Sequence, residues 1–432
     1  MSTIGRRVVI FLVLFTWNAL VAAARSAHPP PTDPQLAALV EEALGANPEI
    51  LAAKEILAAA RQRPAQASAL SNPMVSAGYT NDGWKPSLGS REMTTLAIMG
   101  SQELPYPGKR RLRGEIAEIE AGEIEQRVER VRLGIAASVK RAYARLLLSR
   151  ELLVLARQRQ EAWEQIEEIV RARYALGQGT QQDVVKAQIE VSRSGLMIIE
   201  RGADESSRLA ELNGLLARPA DQALDTAQVR LSIAPVGDTL EQALERLKLL
   251  SPEVKMSALS ADRGSLGVDL ARASFKPDFN VQTAYMNRGG LDPMWQASVG
   301  VSLPFYRKRL QAELAEAESL RLSALRSNES VRLRLREQTQ QRLIALATAE
   351  RSFAVYEERI VPQDRLAVDS ALASYRSDQL PFVAVLESAS ALYEDLAARL
   401  GLMAAHADLK ASLDEARLGS GTSDQTMDWS RE

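Results

Sequence analysis

The spacing of apolar residues changes abruptly at one short segment, Leu104–Arg110, with the sequence LPYPGKR. Before this segment, from Met93 onward, apolar and polar residues alternate, which is typical of a strand. After it, apolar residues recur every three or four positions for roughly seventy residues, which is typical of a helix. The segment therefore predicts a strand that leads into a very long helix, with Pro105, Pro107 and Gly108 ending the strand.

The same change of spacing recurs about 200 residues later at Leu303–Arg309, where Pro304 follows the last strand residue. Two further pairs keep a common offset of 204 positions. They are Asn47-Pro48-Glu49 with Ser251-Pro252-Glu253, and Pro73 with Pro277. Matched features in a fixed order predict an internally duplicated chain.

Four short segments show strand-like alternation: Met74–Asp82, Met93–Leu104, Phe279–Asn287 and Trp295–Leu303. Each is about nine to twelve residues long, the length that a tilted strand needs to cross a bilayer. Aromatic residues lie near both ends, with Tyr79, Trp84, Tyr285 and Trp295 toward the hairpin tips and Tyr106, Phe305 and Tyr306 at the base. Such aromatics suit two membrane interfaces, although a soluble sandwich with one buried face fits the strands alone equally well.

The helical pattern predicts two long antiparallel hairpins. The first helix runs from about Lys109 to Ala175, which is on the order of 100 Å, and the chain returns to about Leu216. The second hairpin runs from about Arg309 to Tyr375, turns, and returns to about Leu413. Because such rods cannot bury an apolar stripe alone, each hairpin must pack against others, and this favours membrane strands over a sandwich.

The ends and the connector complete the predicted organisation. Residues 1–24 carry Arg6 and Arg7, an apolar run and a small-residue end, which predicts a secretory signal peptide rather than a membrane anchor. After it, the sequence predicts a linker at 25–34 and a first repeat at 35–217, with a β-hairpin at 73–104 and a helical hairpin at 107–217. A connector at 218–238 with possible small strands leads to a second repeat at 239–413, with a β-hairpin at 277–304 and a helical hairpin at 306–413. A disordered tail is predicted at 414–432.

Composition and motifs exclude several functions. With no cysteine among 432 residues, disulfides, thiolate metal sites and N-terminal cysteine lipidation are excluded. A formal charge of −2 gives no basic field for nucleic acid. No phosphate loop, nucleophile elbow or H-E-x-x-H motif is present, so we expect no enzyme, no cofactor and no metal site. His406, in an alanine-rich stretch, is expected to be a surface or inter-helix residue.

Counting strands predicts an oligomer. Four strands cannot close a barrel, and an open edge in lipid leaves backbone groups unpaired at a cost of several kcal/mol each. Two copies supply a bare minimum of eight strands, whereas three copies supply twelve strands and twelve helical rods. A small polar face such as Ser298, Gly300 and Ser302 would then line a water-filled lumen.

The chain resembles the TolC-like outer-membrane efflux family over roughly residues 36–413. The resemblance is carried by Gln102–Arg110 at the strand–helix junction, Tyr174-x-x-Gly177 with Asp183-Val184 at the first helix turn, Leu212-Asn213-x-Leu215-Leu216-x-Arg218, and Tyr375 followed by Val385-Leu386-Glu387. It implies a mainly α fold, a homotrimer with a 12-helix α-barrel and a shared 12-stranded outer-membrane β-barrel, and helices in the periplasm. It also implies docking to a periplasmic adaptor, or membrane fusion protein, and to an inner-membrane pump, expected to be of the RND type. The junction and the lack of cysteine are similar to the heavy-metal and cation efflux branch.

The resemblance also implies where the periplasmic aperture lies. Glu387 matches an acidic position that rings the closed aperture, and Ala384 replaces a second acid of that ring. An ordinary exposed helix glutamate is the alternative role for Glu387. Asp183 and Tyr375 match a hydrogen-bonded lock between the turns, but Leu380 stands where the family has an arginine, so the lock is expected to be weakened or built differently.

The turns themselves predict unusual backbone. Gly177 and Gly179 are expected to permit a left-handed conformation at the first turn, and Asp378 tolerates it at the second. The sequence therefore favours an outer-membrane efflux duct that conducts solutes passively from adaptor and pump to the exterior. The alternative is a periplasmic coiled-coil adaptor or scaffold, which would carry one hairpin flanked by β-rich domains. Because a duct conducts whatever its pump delivers, no particular solute is predicted.

Overall fold

The chain forms two similar helix and hairpin units that share one sheet. The computed structural model describes residues 33–88, 91–226, 229–235 and 237–416. The first unit comprises α1 Pro34–Ala46, α2 Pro48–Ala60, α3 Arg63–Ser68, β1 Met74–Thr80, β2 Thr95–Leu104, α4 Lys109–Ala175 and α5 Gln181–Leu215. The second comprises α6 Leu240–Leu250, α7 Pro252–Ala273, β3 Asp278–Arg288, β4 Leu291–Ser302, α8 Arg307–Val355, a π-helical turn Tyr356–Ile360, α9 Val361–Arg376 and α10 Phe382–Glu415.

The predicted chain ends fall largely outside this description. The signal peptide at 1–24 and all but the last two residues of the linker at 25–34 lie outside the described residues. Helix α10 continues to Glu415, just beyond the boundary expected at residue 413. The tail from residue 417 onward also lies outside the described residues.

All four strands form one antiparallel sheet in the order β1-β2-β3-β4. Opposite partners across the three pairings include Ala77 with Ile98, Ile98 with Tyr285, and Tyr285 with Trp295. Directly opposite residues point to the same face, so this row belongs to a single apolar face that crosses every strand. The register thus joins the four separately predicted apolar faces, including the less regular one of Met93–Leu104.

The opposite face of the sheet is small and polar toward the helices and carries Met99, Met286 and Met294 toward the hairpin tips. Glu103 is opposite Asn280, and Asn280 is opposite Gly300. Gln282 is likewise opposite Ser298. The side-chain contrast predicted for β3 and β4 therefore holds across the half of the sheet that is nearer the helices.

The first long helix, α4, has the predicted bounds and contains 67 residues, a length of about 100 Å. The second is continuous from Arg307 to Arg376 but contains the π-helical turn, which the sequence reading did not foresee. There the Val361 N–H donates to the Tyr356 carbonyl five residues earlier. Pro362 follows, and a widened turn accommodates its ring and missing N–H without ending the rod.

The connector between the units is held by the residues of the expected Leu212–Arg218 motif. Arg218 donates two hydrogen bonds of 2.5 Å to the Glu42 carboxylate, and buried Asn213 donates to the carbonyls of Ala220 (3.1 Å) and Gln222 (2.8 Å). Ala217 has φ 56°, which lets the chain leave α5 sharply. Within the described part of residues 218–238 there is no strand, so the possible small strands are not observed there.

Apolar contacts concentrate at three levels along the rods. One cluster joins α1, α4, α5 and α10 around Val139, Leu146 and Leu212; a second lies near the helix turns around Trp163 and Phe382; a third joins α6, α7, α8 and α10. His406, 2% exposed, lies between helices and contacts Glu350, so its inter-helix placement was the correct one of the two expected. No helix in the described ranges is long and apolar enough to cross a membrane.

Candidate functional site

Two helix turns meet at the far end of the long hairpins from the sheet. The first connects α4 to α5, and the second connects α9 to α10. Gly177 has φ 73° and Asp378 has φ 64°, so the left-handed backbone expected at both turns is present. Gly179 is not in this conformation, and the expectation for it was wrong because the first turn needs only one left-handed residue.

Arg173, in the last turn of α4, connects the two turns. Its Nη2 donates to the Gln178 carbonyl at 2.9 Å in its own turn and to Asp378 Oδ1 at 2.7 Å in the other. Its guanidinium carbon lies 4.4 Å from the centre of the Tyr375 ring. The Arg173 side chain is 9% exposed, whereas Asp378 is 86% exposed. We call Arg173, Gln178, Tyr375 and Asp378 the turn clamp.

Below the clamp, aromatic and aliphatic side chains fill the space between the two hairpins. The Tyr375 and Phe382 rings are 5.6 Å apart, and both are buried with Trp163 and Val385. Ring pairs at this separation add about 0.5–1.5 kcal/mol beyond the burial of their area. The clamp therefore rests on a packed layer that fixes the position of Tyr375.

The expected lock between Asp183 and Tyr375 is not formed within this chain. Asp183 belongs to a capping box with Thr180, whose hydroxyl accepts from the Asp183 N–H at 3.2 Å. The Tyr375 hydroxyl is buried and has no hydrogen-bond partner among the described residues. Burial, and then the negative charge of Asp183, raise the pKa of Tyr375, so its hydroxyl stays protonated at neutral pH. Arg173, and not residue 380, is the cation that contacts Tyr375 and Asp378 at the turns.

Glu387 lies one turn into α10, on its solvent side. It is exposed, and no hydrogen bond or ion pair joins it to another described residue. Leu380 in the preceding turn is 42% exposed. The structure therefore places the Glu387 charge beside the turn clamp and leaves it available to a second chain or to solvent.

The strand–helix junction is fastened by a buried ion pair. Lys109 Nζ contacts Asp278 Oδ1 at 2.8 Å and donates to the Lys276 carbonyl at 3.0 Å. The same Asp278 oxygen accepts from the Tyr106 N–H at 2.7 Å. Lys109 is 5% exposed, because it packs at the junction and pairs with Asp278 at the start of β3. Gly108, at φ 99°, provides the bend that Pro105 and Pro107 flank.

The aromatic residues at both ends of the sheet are exposed. Trp295, Phe305 and Tyr306 are 79%, 78% and 81% exposed. The others of this set are Tyr79, Trp84 and Tyr285, at least half exposed, and Tyr106, partly exposed. Pro304 lies between Leu303 and Phe305 at the second junction. A monomer in water would not favour this much aromatic exposure, and it marks a surface made to be covered.

Comparison with known proteins finds a matching family model. Residues 39–218 match the outer membrane efflux protein family. The predicted resemblance to the TolC-like efflux family is therefore confirmed for the first repeat. It is 28% identical over 205 residues to the fusaric acid resistance protein FusA of Burkholderia cepacia; the match spans 44% of this chain and 38% of that relative's length.

Solved structures of this family share the fold over almost the whole chain. The outer-membrane channel OprN matches with a TM-score of 0.77 at 17% identity, covering 90% of each chain. VceC of Vibrio cholerae matches with a TM-score of 0.75 at 19% identity, covering 89% of this chain and 96% of that one. CusC matches with a TM-score of 0.73 at 17% identity, covering 90% and 91%. These likenesses establish a mostly helical efflux-family fold with a four-stranded antiparallel part.

The family fold brings together most of the residues expected at the turns and separates them from the junction. Gly177, Asp183, Tyr375, Asp378 and Glu387 lie at or near the two turns. The junction residues lie about 100 Å away, at the other end of α4. Arg173 was not foreseen, because nothing in the sequence distinguishes it from the many arginines of the same helix. In the described ranges, no group of three or more His, Asp or Glu is placed to hold a metal ion.

Proposed function

We propose that this chain is the subunit of an outer-membrane channel in a tripartite efflux system, with its helices in the periplasm. The observation that carries the proposal is the four-stranded sheet, which has one continuous apolar face and two unpaired edges at β1 and β4. An apolar outer face and a small polar inner face are what a barrel strand needs between lipid and a water-filled lumen.

Closure of the sheet requires other copies of the chain. An open edge in lipid would leave the N–H and C=O groups of β1 and β4 unpaired, each at several kcal/mol. Three copies joined β4 to β1 give a barrel of twelve strands, and the same copies bring twelve helical rods together as a tunnel. This arrangement covers the exposed aromatics Trp295, Phe305 and Tyr306 with lipid at the two interfaces.

The turn end of the helices is the proposed periplasmic aperture. In a trimer, three Glu387 side chains from one position on α10 would converge near the axis, where like charges repel one another and attract cations. The turn clamp holds the second helix turn to the first within each chain, and so restrains the movement that would widen the aperture. The aperture is therefore the proposed gate.

The proposed partners follow from the family. A channel has no energy source of its own, so transport to the exterior relies on a periplasmic adaptor, or membrane fusion protein, and an inner-membrane pump of the RND type. The solute is set by that pump. The relative FusA is named for fusaric acid resistance, which makes a small organic acid a first solute to assay, beside the metal cations that the junction sequence favours.

Channel activity is tested directly in planar lipid bilayers. Purified full-length trimers in phosphatidylcholine bilayers should produce discrete conductance steps, since the lumen is lined by residues such as Ser298 and Gly300. Folded trimers that insert but give no conductance would refute the proposal. The alternative, a periplasmic adaptor or scaffold, predicts no insertion at all, so protease accessibility of the reconstituted protein separates the two outcomes.

A further inference from the structure

Basic side chains gather at one end of the sheet, where the strands lead into the long helices. The register places Leu104 opposite Phe279 and Asp278 opposite Ser302, so the starts of α4 and α8 lie at the same end of the sheet. We use the name basic collar for the exposed cations there. They are Arg111, Arg113, Lys276, Arg307, Lys308 and Arg309.

The cations of the collar are not used to hold the fold. The side chains of Arg307, Lys308 and Arg309 make no hydrogen bond or ion pair with any described residue. Arg111 pairs only with Glu115 of its own helix, at 2.6 Å, and its side chain is 71% exposed. Lys109 differs from them, because it is buried and fastens the junction.

Their placement is electrostatically unfavourable for the chain alone. Arg307, Lys308 and Arg309 occupy the first turn of α8, the positive end of the helix dipole, and no acidic residue shares that turn. Cations at a helix start destabilise it by a few tenths of a kcal/mol each and also repel one another. Exposed Glu103 pairs across the sheet with Asn280, and exposed Glu313, one turn further along α8, accepts a hydrogen bond from Ser274, so neither acid forms an ion pair with Arg307, Lys308 or Arg309.

Immediately before this cluster, Phe305 and Tyr306 are 78% and 81% exposed. Such aromatics lie at the headgroup level of membranes. A ligand that suits both features has an anionic head and an apolar tail. We propose that the basic collar binds the headgroups of anionic phospholipids in the periplasm-facing leaflet. The inference rests on the proposed function, because it requires the strands to lie in a membrane.

The direct test measures lipid binding by the full-length trimer in a neutral detergent. The probes are dihexanoyl phosphatidylglycerol, dihexanoyl phosphatidylcholine and inorganic phosphate. Each cation near a lipid headgroup contributes about fivefold in affinity. The triple variant R307Q/K308Q/R309Q should therefore bind phosphatidylglycerol at least tenfold more weakly than wild type. R326Q/R332Q/R336Q removes the same charge farther along the same helix, about 25 Å or more from the collar, and should bind like wild type.

The outcomes separate the possible ligands and the two proposals. Equal binding of phosphatidylglycerol and phosphatidylcholine, or equal loss in both triple variants, would overturn the collar as a lipid site. Phosphate binding as tight as phosphatidylglycerol would overturn the lipid assignment, because Phe305 and Tyr306 would then contribute nothing. Conductance in pure phosphatidylcholine reports on the channel independently, so a conducting protein without phosphatidylglycerol binding contradicts this inference alone.

Discussion

The turn clamp offers the sharpest test of how the aperture is held closed. Replacing Arg173 with methionine keeps an unbranched apolar stem over Tyr375 but removes the guanidinium, and with it the bonds to Gln178 and Asp378. If the two turns separate when the aperture opens, the variant should open more readily. Most of the effect should come from the buried contact of Arg173 with the Tyr375 ring, because Asp378 is exposed.

The magnitude follows from the burial of each contact. The hydrogen bond to the Gln178 carbonyl stays within the first turn and is not lost when the turns separate, whereas the stacking on Tyr375 joins the two turns and contributes about 1–2 kcal/mol at this depth. Against this, Arg173 Nε and Nη1 are buried and form no hydrogen bond with any residue that the structure describes, so their removal recovers part of the loss. A net loss of about 2 kcal/mol corresponds to a ratio of open to closed channels raised about 30-fold. The exposed bond to Asp378 contributes at most about 1 kcal/mol.

The assay is single-channel recording of trimers in planar bilayers. Wild type, R173M, D378N and the double variant form a double-mutant cycle. Asparagine tolerates the left-handed backbone of position 378, so D378N removes charge without straining the turn. R171M is the matched control, since Arg171 is two residues away, 64% exposed, and pairs with Glu167 on its own helix. An R173M trimer with wild-type thermal stability and an unchanged open-to-closed ratio would refute the clamp.

Three further predictions concern single side chains. Tyr375→Phe should leave the closed state intact or stabilise it by up to about 1 kcal/mol, because the buried hydroxyl has no hydrogen-bond partner in the described part of the chain; increased leak would instead indicate a bond from that hydroxyl across subunits. Burial lowers the pKa of His406 below its ordinary 6.5, so its neutral form contributes stability above pH 6.5 that is lost as the pH falls toward the folded-state pKa. As the pH is lowered from 7.5 to 5, the melting temperature of wild type should fall, and that of His406→Gln should change less. Parallel curves for the two proteins would contradict this. Glu387→Ala should reduce cation selectivity, seen as a reversal potential shifted toward zero in a salt gradient, and an unchanged potential would exclude a ring of Glu387.

Regular elements could be predicted because their signals are local. The bounds of α4 were obtained from apolar spacing alone, and the four strands lie within a few residues of the alternating segments. Both the strand period of two and the helix period of 3.6 are properties of neighbouring residues. The π-helical turn was missed for the opposite reason. Pro362 signals a break in any helix, and only packing on both sides of it decides that the rod continues.

The site was harder to predict because its contacts join residues that are far apart in the chain. Arg173 and Asp378 are 205 positions apart, and Lys109 and Asp278 are 169 apart. In each case one partner comes from each repeat, so the pairing depends on how the duplicated units pack, which no local pattern records. Local sequence also does not distinguish exposed cations such as Arg307–Arg309 from the buried Lys109, since all of them lie in the same kind of basic cluster after a strand.

The two ion pairs that join the repeats also explain how the sheet end and the turn end of the chain can be held with different strength. The Lys109–Asp278 pair joins a buried lysine to a carboxylate that is 32% exposed, so breaking it would leave the buried Lys109 charge unpaired. The Arg173–Asp378 pair has one partner in solvent, so separating it costs far less. The fastening at the sheet is therefore the stronger of the two, and the fastening at the turns is the one that the proposed opening of the aperture would break.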